Sequence, residues 1–186
     1  MKNAISRRRS LRLAAGAVAT VLLSQRPGAA LAADPGPTLG RRAVDADWVD
    51  GTHQVRASAA VVQEALRRLP RWGTVFHDVR AVGPVRETGR RQEADVTFGV
   101  LGDHGHHLTL DDRGTAFDVY IAVTGAEVRG TFVIAPLRAS TLTSVTFSLL
   151  ARTYGVAGIF VSQSSLRAKQ ETLVESYLRD LAKLSP

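Results

Sequence analysis

The sequence predicts an α+β domain in which an antiparallel sheet of about seven strands is covered on one face by a long C-terminal helix. Three observations carry this. From residue 79 to residue 149 apolar and polar residues alternate with period two, which fits strands with one buried and one solvated face. From residue 158 to residue 184 the period changes to 3.6. Between residues 44 and 186 no linker and no repeat divides the chain, so one core serves all of it.

The elements follow in order. Thr52 to Ala57 alternates as a first strand. Residues 59–69 form a helix with Ser58 as its N-cap and Val61, Val62, Ala65, Leu66 and Leu69 along one stripe. Pro70 ends it, and residues 71–76 form a second short helix. Six strands come next, at residues 79–85, 95–100, 106–110, 117–123, 128–134 and 143–149. Gly102, Gly105, Gly114, Gly125 and the segment around Pro136 mark the turns between them. In the last helix Leu166, Leu173, Val174, Tyr177, Leu178, Leu181 and Leu184 make the apolar stripe. At 1.5 Å per residue such a helix is roughly 40 Å long, enough to cross a sheet.

Composition narrows the function classes. The chain has 186 residues and no cysteine, which excludes disulfides, thiolate zinc sites, a thiol nucleophile and a lipidated N-terminal cysteine. The formal charge of +7 is concentrated at the start of the chain. Of 24 Lys and Arg residues, Lys2, Arg7, Arg8, Arg9, Arg12 and Arg26 lie in the first 32 residues, where there is no acid, and the remainder is 18 bases against 17 acids. That balance lacks the electrostatic footprint of a nucleic-acid binder.

Residues 1–32 have the parts of an export signal: a cationic start, an apolar run over residues 13–23, and small residues Ala30 and Ala32 at a cleavage site. The apolar run of 11 residues is too short for a bilayer core needing roughly 20. Ser6-Arg7-Arg8-Arg9-Ser10-Leu11-Arg12 resembles the twin-arginine motif, with Ser10 in place of Phe and Arg12 in place of Lys, although an ordinary secretory signal also carries arginines. Residues 33–43, with Pro35, Gly36 and Pro37, read as a linker, and residues 44–186 as the domain. The expected location is the periplasm or outside the cell, reached through the export machinery.

The segments 55–62 (Val-Arg-Ala-Ser-Ala-Ala-Val-Val) and 65–72 (Ala-Leu-Arg-Arg-Leu-Pro-Arg-Trp), the run from Gly130-Thr131-Phe132 to Leu149, and the terminal helix together resemble the START/Bet v 1-like (SRPBCC) superfamily of polyketide cyclase/dehydrase and lipid-transport type. His77-Asp78-Val79 stands where that family commonly has a proline, and its acidic-aromatic pair after the first helix is missing. The resemblance implies a helix-grip fold, with a curved sheet wrapped around the last helix and an elongated apolar cavity between them. It implies a lipid or other hydrophobic small molecule as partner, and at most transient membrane contact.

Strand parity supplies the candidates for such a cavity. Phe98, Phe117, Val119, Ile121, Phe132, Ile134, Val145, Phe147 and Leu149 share the apolar face, and Trp72, Phe76 and Tyr177 join them from the helices. Each one is also an ordinary core residue; as a set they favour an apolar ligand. His53, His104 and His106 have inward parity, and His106 is the candidate to hydrogen-bond a ligand head group or to act as acid or base, while the glycine-rich context of residues 102–107 favours a solvated turn. His104 and His106 would bind zinc only with a third ligand such as Asp103 or His53, so no metal and no other cofactor is expected. The sequence has no G-x-S-x-G, H-E-x-x-H or Walker motif. The first expectation is therefore an exported binding protein for a hydrophobic molecule. A cyclase/dehydrase-type enzyme using the same cavity comes second, and a partner-binding module with a filled core third.

Overall fold

The computed structural model describes residues 38–41, 48–137, 141–153 and 163–184. The leader with Ala30 and Ala32, both ends of the linker and the start of the predicted last helix lie outside the described residues.

Among the described residues nine strands form one antiparallel sheet: β1 (Thr38–Arg41), β2 (Trp48–Val55), β3 (Val79–Val82), β4 (Arg86–Thr88), β5 (Arg91–Phe98), β6 (Gly105–Asp112), β7 (Ala116–Val123), β8 (Ala126–Pro136) and β9 (Thr143–Thr153). The spatial order is β1-β2-β9-β8-β7-β6-β5-β3, with β4 also paired to β5. The helices are α1 (Ala59–Arg67), α2 (Trp72–Val75) and α3 (Gln163–Ala182), with a 3₁₀ turn over Leu69–Arg71 between the first two. This is the helix-grip arrangement, in which α3 packs against β2 and β9.

Alternation governs the sheet. Ala94, Val96 and Phe98 of β5, Phe117, Val119 and Ile121 of β7, and Val145, Phe147 and Leu149 of β9 are all buried. Their neighbours Asp95 and Tyr120 face outward and are exposed. In α3, Gln170, Val174, Tyr177, Leu178 and Leu181 are buried at helical spacing. Ser58 caps α1 as expected, its Oγ accepting from the Val61 N–H at 3.4 Å.

Two strands differ from the sequence reading. The predicted strand at 79–85 ends at Val82 as β3, because Pro84 has no N–H for the ladder and Gly83 donates to the Asp95 carbonyl at 2.8 Å, and β4, which the sequence reading did not include, follows it. Thr38–Arg41, within the segment read as linker, is an edge strand paired with Val49 to Thr52. Extended backbone needs no helical propensity, so Pro and Gly nearby do not forbid it at an edge.

Candidate functional site

The strands that turn at one end of the sheet leave a space beneath α3. At that end lie the β5–β6 and β7–β8 turns, the end of β9 and the first turns of α3. A cavity of about 230 Å³ opens there. Its wall is built from the halves of the β5, β7, β8 and β9 inner faces nearest this end: Phe98 and Leu101; Val119, Ile121 and Val123; Val128, Gly130 and Phe132; Phe147, Leu149 and Ala151. Trp72 and, from α3, Leu166, Leu173 and Tyr177 complete it. Val100, 44% exposed, stands at the opening.

Aromatic rings set the floor. Phe132 and Phe147, paired across β8 and β9, stack at 4.0 Å between centroids and 7° between planes. Tyr177 lies 5.8 Å from Phe147 and 4.5 Å from Phe76, and Trp72 meets Phe76 edge-on at 5.2 Å. Trp72 Nε1 donates to the Leu66 carbonyl at 3.0 Å, which fixes the indole and ties it to α1. The Phe147 ring needs Gly130: a β-carbon there would lie 2.8 Å from Phe147 Cε2.

Of the residues singled out from sequence, Trp72, Phe98, Ile121, Phe132, Phe147 and Tyr177 line this cavity. Phe76 and Phe117 are fully buried but do not border it. They fill the closed end, where Phe117 pairs with Phe132 and Phe76 stacks with Phe132 and lies tilted against Tyr177. His106 does not border it either, because no residue of β6 does. It faces inward opposite Val96, half-buried, with its Nε2 shielded from water and without a hydrogen-bond partner among the described residues. His53 is a core residue of β2 opposite Val145, and His104 is exposed in the β5–β6 turn. Asp103 pairs with Arg80. Among the described residues no group of three potential metal ligands forms.

The polar groups at the cavity were not legible in the sequence. Asp78, Arg152, Thr153, Lys169 and Gln170 border it. Gln170 Nε2 donates to the Leu149 carbonyl at 3.2 Å, which closes the gap between α3 and β9. Asp78 sits just before β3, where its Oδ1 accepts from the Val100 N–H at 2.9 Å and its carbonyl accepts from Gly99 N–H at 2.8 Å. Burial raises the Tyr177 phenol well above its ordinary value, and the negative charges of Asp78 and Asp180 add to the effect, so the ring keeps its proton.

Beside the cavity, across α3, a shallow groove is lined by His77, Thr172 and Ser176 and shares Asp78, Val100, Lys169 and Leu173 with it. Asp180, its side chain 3% exposed, accepts from the His77 backbone N–H at 3.0 Å, contacts His77 Nδ1 at 2.6 Å, and accepts from Lys183 Nζ at 2.6 Å. Burial alone would raise its carboxyl, but the bonds from Lys183 and His77 outweigh that and hold it below the ordinary value. Ser176 Oγ completes a serine-histidine-aspartate set by composition only. It stands 3.5 Å and 3.4 Å from the two ring nitrogens, and a point equidistant from both lies along the lone pair of neither. A nucleophilic serine needs that in-line contact. The set anchors α3 to the α2–β3 connection.

A wider polar depression at the opposite end of the sheet brings together Arg67, Arg68, Arg71 and Arg90, interspersed with Glu87 and Asp112. Arg67 binds Asp112 at 2.7 Å.

Comparison with known proteins gives the same fold. No family model matches the chain, and no curated protein matches it. A START superfamily protein from Mycobacterium smegmatis superposes with a TM-score of 0.57 at 13% identity, covering 73% of this chain and 94% of that one. Zhui aromatase/cyclase from Streptomyces sp. R1128 does so with a TM-score of 0.57 at 20% identity, covering 73% and 90%. The di-domain ARO/CYC BexL has a TM-score of 0.57 at 14% identity, with 75% of this chain matched to 50% of that one. The chain has the helix-grip fold of START-type proteins. At these identities the likeness is one of fold.

Proposed function

We propose that the protein is an exported binding protein that holds a lipid or other hydrophobic small molecule in the cavity between sheet and α3. The observation that carries this reading is the cavity itself: an opening to solvent whose wall is mostly aliphatic and aromatic. Binding draws on apolar surface removed from water, at about 25 cal/mol per Å², less the cost of association. An engineered apolar cavity of about 150 Å³ takes benzene, so the space here suits a group of roughly bicyclic size. Export rests on the leader, residues 1–32.

The test is displacement of an environment-sensitive apolar fluorophore by naphthalene and by fatty acids, in the parent and in Ala126→Trp. Ala126 lines the opening beside the β7–β8 turn, where an indole occludes the cavity with little demand on the core. Saturable, competitive binding that Ala126→Trp abolishes supports the reading; binding unaffected by the substitution overturns it.

A second reading, cyclisation or dehydration of a hydrophobic substrate, is favoured by the aromatase/cyclase names of two structures sharing the fold and by Tyr177 and Asp78 in the wall. It predicts turnover of a polyketone substrate that Tyr177→Phe and Asp78→Asn suppress.

A further inference from the structure

We infer that the cavity and the groove across α3 form one two-part site for an amphiphile with a single negative charge, whose apolar part enters the cavity and whose head group rests on Lys169. The inference rests on the apolar-binding reading above and names the class of ligand. The two spaces, about 230 Å³ and about 370 Å³, meet along Val100, Lys169 and Leu173. On the cavity side of that seam α3 presents Leu166 and Tyr177; on the groove side it presents the hydroxyl residues Ser165, Thr172 and Ser176. A ligand with one apolar and one polar end matches that division.

Lys169 is the cation left over on α3. Arg167 pairs with Glu171 and Arg179 with Glu175, each one helical turn apart, and Lys183 binds Asp180. The positions a turn away from Lys169 hold Ser165, Leu166, Thr172 and Leu173, so its own helix offers it no acid. It is exposed, and among the described residues it has no ion-pair partner. Asp78, the acid that borders both spaces, does not serve it. Its Oδ1 takes the Val100 N–H at 2.9 Å, and its Oδ2 is shielded from water. Arg80 lies beside the same carboxylate, since a β-carbon on Gly99 would be 2.9 Å from Asp78 Oδ1 and 3.2 Å from Arg80 Nε. The charge of Asp78 is thus met inside the protein, which weakens its repulsion of an entering anion. Arg152, the other cation at the cavity, faces Glu127 across β8 and β9. What remains at the seam is one accessible ammonium, a compact charge that suits a single carboxylate.

The probes are 2-naphthoate and its neutral methyl ester, titrated at low salt into the purified protein and followed by heteronuclear NMR shifts of cavity residues. Lys169→Gln keeps a good helix former on the exposed face but removes the charge. It should weaken 2-naphthoate about three- to fivefold, the upper range for an exposed ion pair, and leave the ester within about twofold. Lys169→Glu should weaken 2-naphthoate about tenfold or more, and Arg152→Gln should leave both probes within about twofold. Unchanged 2-naphthoate affinity in Lys169→Gln, or an equal loss for both probes, overturns the inference and leaves apolar binding standing; the second result would mean that only the lysine stem contributes, by packing. A loss of 2-naphthoate in Arg152→Gln that matches the loss in Lys169→Gln also overturns it. Failure of both probes to shift cavity residues in the parent overturns both readings.

Discussion

Replacing Gly130 with alanine sets two effects of opposite sign against each other. In the middle of a strand, glycine is ordinarily worse than alanine by roughly 0.5–1 kcal/mol, because it gives up more backbone freedom on folding. Here the new β-carbon would sit 2.8 Å from Phe147 Cε2, 3.3 Å from Cζ and 3.7 Å from the Ser148 carbonyl. The ring has little room to yield, being stacked at 4.0 Å on Phe132 on one side and near Tyr177 on the other. Overpacking of this kind costs typically 1–3 kcal/mol. The net expectation is destabilisation by about 1–2 kcal/mol, a fall in Tm of roughly 2–8 °C for a domain of this size. Because Gly130 lines the cavity, apolar probe affinity should fall as well. Thermal denaturation of Gly130→Ala alone and in a Phe147→Leu background is the assay. The penalty should shrink by about 1 kcal/mol once the ring edge is gone. A Gly130→Ala protein more stable than its parent, with unchanged probe binding, would refute the packing account of the cavity floor.

Other expectations follow from the same contacts. The Asp180 carboxyl is held below its ordinary value, so it stabilises the fold above the usual carboxylate range, and this contribution is lost as pH falls through the lowered value. Asp180→Asn should therefore cost about 1–3 kcal/mol in urea denaturation at pH 7 and progressively less below about pH 4; a cost independent of pH contradicts the ion-pair assignment. His106→Ala should leave probe affinity within about twofold, since no residue of β6 touches the cavity, and a large loss measured by fluorescence titration would place His106 in the site after all. Replacing both Arg7 and Arg8 by lysine should block export if the leader uses the twin-arginine route, read out by fractionation and blotting, whereas undiminished export would assign the general secretory route.

The sheet was legible in the sequence because burial on one face imposes period two, and Phe117, Val119 and Ile121 on β7 or Val145, Phe147 and Leu149 on β9 show it plainly. β4 was hidden for the converse reason: Arg86, Glu87 and Thr88 are all exposed, so nothing in their pattern alternates. Parity also separated inward from outward residues but not depth along a strand. Phe117 and Phe132 face each other across β7 and β8, yet the cavity stops between them. Asp78 escaped notice because its role depends on Val100, 22 residues away across the β3–β5 pairing. A polar residue in a short connection carries no period to mark it.

The claim on which the account depends is that the cavity holds a hydrophobic ligand, and native mass spectrometry of the protein purified from the cells that make it tests it most directly. The account predicts a near-stoichiometric adduct that organic extraction releases as a small apolar molecule. A bare mass that stays unchanged after incubation with mixed lipids and naphthalene would contradict it.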